Sequence, residues 1–453
     1  MLLDDLQSRL DQAARAHDVP GAAIAVSVKG ELTEAATGVL NLETGVETTA
    51  GSLFQVGSTT KVWTAALIMQ LVDEGLVDLD RPVRTYLPEF TLADADASAK
   101  VTVRQLLTHT GGFDGDLFTD TGRGDDSLDR YVDLLRDARQ VDPPGSAFSY
   151  CNSGYATLGA IVAKLRGCTW EAAMRRHLFE PLGSRQVALF PEEAVLHRAA
   201  AGHSKAPGTE EQVVVRPWGM PRSTAPAGAT MCAAPRELVR FGEMFLRGGL
   251  AEDGTRVLSE ESVRAMTSQQ VPPTAFRWLG EGWGLGFNLL GWGGGVYGHD
   301  GGTPGQITQW WVVPGHDVVV ALTCNGGNPY GVLRDLAHPI TQELTGLEPT
   351  GRPVPPAVPY EVDVTPYLGR YAGPMITSDV AAAEGGLEIT LTPEGLLKEM
   401  GLPVTVKRFV ALDAYTFVSA QGQAGLHDAV MFIVRDGVAT HLFNGRSTPR
   451  VSS

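Results

Sequence analysis

The sequence predicts an α+β domain followed by a small all-β domain. Two strand-like runs near the N-terminus and a second group between Trp283 and Thr323 enclose a long, mostly helical middle. A proline-rich connector at 351–359 (GRPVPPAVP) then interrupts the chain, and beyond it only short apolar runs broken by Gly and Asp remain. Strands, helices and strands in that order let the two ends of a domain meet in one sheet. The expected boundaries are 1–350 for the first domain, 351–359 for the linker and 360–453 for the second.

Leu3, Leu6, Leu10 and Ala13 share one side of an amphipathic first helix. Residues 21–29 (GAAIAVSVK) and 31–40 read as strands turning at Gly30. The run 62–77 (VWTAALIMQLVDEGLV) has apolar residues at helical spacing. A short helix at 103–110 ends at Gly111-Gly112, and helical runs return at 153–165, 236–247 and 259–266. Strands follow at 308–313 and 318–322, then a last helix at 332–344. In the tail, 387–391, 416–418 and 429–434 suit an antiparallel barrel or sandwich.

At 453 residues the chain is long enough for two domains and a large core. A hydrophobic fraction of 43% with 19% charged residues is ordinary for a globular enzyme. The net charge of −16 argues against a nucleic-acid partner, since phosphate would be repelled. No run of about 18 apolar residues exists to span a bilayer. The N-terminus has no basic segment followed by an apolar one, so a cytoplasmic location is expected. Cys151, Cys168, Cys232 and Cys324 show no metal-ligand spacing and read as free thiols. No cofactor or metal is expected.

Ser58 is the candidate nucleophile, because Lys61 follows it by three positions at the start of the 62–77 helix. Residues three apart share a helix face, which puts the lysine amine beside the hydroxyl. The helix dipole and burial both disfavour a charged lysine, and a neutral one can take the seryl proton. Of the seven lysines, only Lys61 has a serine three residues before it. A capping serine and a surface lysine would produce the same pattern. Two further elements strengthen the catalytic reading. Tyr150-Cys151-Asn152 precedes a helical run, and Tyr297-Gly298-His299-Asp300-Gly301-Gly302 leads into a strand.

In that order, these elements resemble the serine β-lactamase and penicillin-binding-protein superfamily, in the branch of class C β-lactamases, D-aminopeptidases and related esterases. The resemblance spans roughly Leu6 to Leu347, including the Leu106-Leu107-Thr108-His109-Thr110-Gly111-Gly112 and Pro144-Gly145 segments. It implies a β-lactamase/transpeptidase-like domain. The tail, with Tyr367-Leu368-Gly369-Arg370-Tyr371, resembles a lipocalin-like barrel. The resemblance also implies roles. Ser58 forms the acyl-ester, Lys61 is the base, and Tyr150 exchanges protons with Ser58 and the leaving group. Asn152 holds Lys61 and a substrate amide. The N–H groups of Ser58 and Gly302 form the oxyanion hole, at about 3 kcal/mol per donor. His299 replaces the lysine of the Lys-Thr-Gly strand. It is mostly neutral at pH 7, and Asp300 beside it is negative, which disfavours β-lactam hydrolysis.

Asp300, Gly301, Trp218 and Arg446 are candidate substrate contacts; the plain alternative for Arg446 is a surface arginine. His109 reads as a structural histidine bonding backbone at a helix end. No G-x-S-x-G elbow occurs, so an α/β-hydrolase is excluded. Among the seven aspartates of 114–133, Asp125 and Asp126 are candidates to overhang the cleft and attract an amine. Trp218, Trp278, Trp283, Trp310 and Trp311 are candidate pocket walls. The expected function is a serine acyl-enzyme hydrolase or acyltransferase acting on an ester, amide or peptide carbonyl of a small molecule or peptide. An alternative resemblance, to penicillin-binding-protein-type thioesterases, implies macrocyclisation of a carrier-protein-bound peptidyl thioester. A non-catalytic acyl-binding sensor module is a third reading.

Overall fold

The computed structural model describes residues 3–206, 208–272, 280–422 and 426–451. Its centre is an eight-stranded antiparallel sheet. The strand order is Val46–Glu47, Glu31–Asn41, Gly21–Val28, Val318–Cys324, Gln306–Val313, Tyr297–Thr303, Asn288–Leu289 and Gly282–Trp283. The N-terminal strand pairs with a strand some 300 positions later, Ala23 opposite Thr323, so the domain's ends do meet in one sheet. Gly21–Val28 is apolar almost throughout because both of its faces are covered. Ala22, Ile24 and Val26 join the cluster under the helices Leu6–Ala16 and His338–Thr345, while Ala25 faces the helical region.

The helix Thr60–Asp73 runs through the middle of that region with no polar face, and every residue from Thr60 to Leu71 is buried. A helix apolar all round belongs in a core. The helix Asn152–Arg166 packs along it. The expected last helix departs from regularity. Pro329–Val332 and His338–Thr345 are separated by a widened turn at Leu333–Ala337, because Pro339 has no N–H to close a normal turn.

The tail is a closed barrel of eight strands joined in sequence order, sealed where Gly369–Ala372 pairs with Ser447–Val451. Closure leaves no strand edge. Tyr367, Tyr371, Phe409, Phe417, Phe432 and Leu442 fill its interior, so it is packed rather than hollow. The turn before its last strand reaches into the first domain. Gly445 O accepts from Tyr150 N (3.0 Å), and Ser447 N donates to Ser149 Oγ (3.1 Å). Among the described residues, no helix is long and apolar enough to cross a membrane.

Candidate active site

Ser58 sits in a tight turn, Gly57–Thr59, that leads directly into the Thr60–Asp73 helix. Thr59 Oγ1 donates to Val56 O (2.9 Å) and Thr60 Oγ1 to Gly57 O (2.7 Å), which pins the turn. Gly57 has φ +54°, and a Cβ there would meet Gly302 N at 2.6 Å. A Cβ on Gly301 would lie 1.9 Å from Val56 O and 3.1 Å from Ser58 N. Two glycine backbones therefore let strand Tyr297–Thr303 press against the Ser58 turn, bringing the Gly302 amide to it. Gly301 contributes by its missing side chain.

Lys61 is 0% exposed. Its Nζ lies 2.9 Å from Ser58 Oγ and donates to Ala227 O at 2.6 Å. Burial pushes its pKa well below the ordinary 10.5; Asp116 opposes this and Arg446 adds to it. An amine whose charged form is disfavoured by burial thus faces the seryl hydroxyl one helical turn away.

On the other side, the Tyr150 phenol is hydrogen-bonded to Ser58. Burial raises its pKa, while the Ser58 hydrogen bond and Arg446 pull it back. The ring is held from several directions. It stacks on His109 (4.2 Å between centroids, 26° between planes), and Lys61 Nζ lies 4.8 Å from its centroid. Cys151 N donates to His109 Nδ1 (2.9 Å) and Ser149 N to His109 O (2.8 Å). His109 acts on backbone, as a structural histidine does. The Cys151 thiol caps the next helix and is pushed up to about 12 by burial, which removes it as a nucleophile.

Three expectations change. Asn152 does not hold Lys61: its Nδ2 donates to Asp116 Oδ1 at 2.6 Å, because the buried carboxylate is the stronger acceptor. Asp300 does not face Ser58. Along the sheet, His299 aligns with Trp310, Ala321 and Ala25 on the face toward the helical region. Asp300 aligns with Gln309, Leu322 and Ile24 on the reverse face. Successive strand residues point to opposite sides, so only one of the pair can enter the site. Asp125 and Asp126 are held by Arg222 and Arg130. Asp116 is the aspartate of that loop that reaches the centre, buried and paired with Arg446.

Arg446 is delivered by the barrel and lies 5.1 Å over the Tyr150 ring, with its side chain still 44% exposed. Trp218 lines a cleft of about 1000 Å³ that opens beside Asp116; Phe118, Phe190 and Met220 share the wall, with Leu396 and Met400 from the barrel. Its indole N–H is tied to Ala200 O (2.8 Å). Trp283 packs edge-on to His299 (5.6 Å) and Tyr150 (6.1 Å). Trp310 and Trp311 are core residues, and Trp278 lies outside the described residues. Sequence reasoning missed Ala227, whose carbonyl orients Lys61, and Asp116 as a specific partner. A backbone acceptor leaves no residue signature. Asp116 was hidden among seven similar residues.

A profile of the Beta-lactamase family matches residues 6–343. The chain is 46% identical over 369 residues to "Penicillin-binding protein 4" of Amycolatopsis lactamdurans, covering 81% of this chain and 96% of the relative. It is 30% identical over 341 residues to "Esterase EstB" of Burkholderia gladioli, covering 65% and 85% respectively. The crystal structure of SurE superposes with a TM-score of 0.80 at 31% identity, and SurE with D-Leu at 0.75 and 30%, each covering 99% of both chains. A seryl hydroxyl between a buried amine and a phenol, on this sheet and beneath this barrel, agrees with those matches: the chain belongs to the beta-lactamase family of serine hydrolases and penicillin-binding-protein homologues.

Proposed function

We propose that the protein is an acyl-transfer enzyme that forms an acyl-ester on Ser58. The observation that carries this is the fully buried Lys61 amine 2.9 Å from Ser58 Oγ, with the Tyr150 phenol on the same oxygen. Lys61 takes the seryl proton as Oγ attacks an ester, amide or peptide carbonyl, and Tyr150 returns a proton to the leaving group. The Ser58 and Gly302 amides stabilise the oxyanion. A non-catalytic acyl-binding module would need no such proton network.

The large, mainly apolar cleft beside Asp116 favours an acyl group with hydrophobic residues. The D-Leu complex of the full-length relative SurE supports a D-configured residue in the acyl donor. The same cleft, roofed by the barrel, supports a second reading, in which a peptidyl thioester is released by its own amine as a macrocycle. p-Nitrophenyl esters of N-acetyl-D-leucine and N-acetyl-L-leucine test the first reading by intact mass and turnover. A mass increase on Ser58, abolished in Ser58→Ala, is expected; unmodified protein with every ester would refute it. Heterochiral peptidyl thioesters yielding only linear acid would eliminate the cyclising reading.

A further inference from the structure

Beside the Ser58 turn, His299 offers only one kind of hydrogen-bonding group. Its Nδ1 lies 2.5 Å from the Asp300 carbonyl oxygen, which can only accept. The ring hydrogen is therefore on Nδ1. Burial and the neighbouring Lys61 push the imidazole down to about 3, so the ring is neutral near pH 7. Nε2 then carries a lone pair and no hydrogen. That atom is buried, the residue is 6% exposed, and Nε2 has no hydrogen-bond partner within the protein. A buried acceptor without a donor costs about 1–3 kcal/mol, so something supplied from outside should satisfy it.

Its surroundings say what. The ring is 6.1 Å from Tyr150, whose phenol bonds Ser58, and it shares a strand face with Gly301, against the Ser58 turn. The group that exchanges a proton with Tyr150, the leaving group in acylation or the acceptor in deacylation, is thus the nearest candidate donor. Trp283 and Tyr150 wall the spot with aromatic surface that suits an alkyl chain better than bare water.

We propose that His299 Nε2 accepts one N–H of a primary amine acyl acceptor, whose second N–H is exchanged with Tyr150, aiming the nitrogen lone pair at the acyl carbon. This rests on the acyl-enzyme reading above. The C–N bond forms as the ester C–O bond to Ser58 breaks. One amine proton passes through Tyr150 and Lys61 to Ser58 Oγ, and the other stays on the product amide against His299. The low basicity of the ring makes it an orienting acceptor; the base is Lys61. A secondary amine has one N–H and cannot satisfy both partners.

The test acylates the full-length protein with N-acetyl-D-leucine p-nitrophenyl ester in the presence of butylamine or N-methylbutylamine. Amide and acid products are separated by mass. The primary-over-secondary ratio is divided by that of the same ester in enzyme-free buffer. The wild type is expected to favour butylamine at least tenfold; His299→Ala should bring the ratio close to one, and His299→Gln, which keeps an acceptor oxygen, should restore part of it. A wild-type ratio of one, a ratio unchanged in His299→Ala, or turnover to acid with no amide from either amine would overturn the proposal while leaving the acyl-enzyme intact. Absence of any Ser58 ester would instead remove the underlying reading, and this proposal with it. Independently of any variant, ¹⁵N-histidine NMR should show a pyridine-type Nε2 that shifts with butylamine. A protonated Nε2 would refute the assignment.

Discussion

Replacing Lys61 with Met should make the protein more stable and nearly inactive. The amine is fully enclosed, and burial pushes its pKa well below the ordinary 10.5. At about 1.4 kcal/mol per pKa unit, deprotonating a lysine at pH 7 costs up to roughly 5 kcal/mol of folding free energy. Met removes that cost, keeps the apolar stem, and leaves Ala227 O without its donor, a loss of about 1–3 kcal/mol. A net gain of up to about 4 kcal/mol at pH 7 follows from these terms. The sign of the pH dependence is fixed by proton counts. Between the lowered folded pKa and 10.5 the unfolded chain holds more protons, so the wild type gains stability as pH rises and its deficit against Lys61→Met shrinks. Urea unfolding at pH 6, 7, 8 and 9 measures this gap. p-Nitrophenyl ester turnover should fall by about 10²–10⁴ with the base gone. In the wild type, kcat/KM should rise with pH through the lowered lysine pKa and then level off. A variant less stable than wild type at pH 7, or a gap that widens toward pH 9, would refute the buried neutral amine.

Arg446→Ala should strand the buried Asp116 carboxylate and loosen the barrel from Tyr150. Because the arginine is 44% exposed, the loss in a urea melt should be about 1–2 kcal/mol, below the 3–5 kcal/mol of a fully enclosed pair. Gly301→Ala forces a methyl to within 1.9 Å of Val56 O. It should cost about 1–3 kcal/mol and at least 10²-fold in kcat/KM by displacing Ser58, measurable by thermal unfolding and ester turnover. Asp300→Asn lies on the reverse sheet face, so ester kcat/KM should stay within about twofold; a larger loss would place that carboxylate in the site after all.

Much of the architecture was legible because it rests on local patterns. The largely apolar run after Lys61 reads as a helix and 21–29 as a strand from side-chain spacing alone, and the structure buries both. The Gly57-Ser58-x-x-Lys61 spacing placed the amine and hydroxyl on one turn, since a helix brings i and i+3 together whatever surrounds it. Asn152 shows the limit of such reasoning. Its place beside Tyr150 was readable, but its partner was decided by Asp116, some thirty-six residues upstream and indistinguishable by type from six neighbouring aspartates. Asp300 shows another limit: adjacency in sequence suggested a shared role with His299, and strand alternation sent the two to opposite faces.

By itself the sequence determined the order of elements and the pairing of Ser58 with Lys61, the proposed nucleophile and base, because hydrogen bonding and side-chain spacing along one helix are local. The state of that base, the acceptor-only face of His299 and the arrival of Arg446 from a separate barrel were decided by the tertiary structure alone. Each depends on how much water is removed and which distant charges are brought near. Those quantities exist only once the chain has closed on itself.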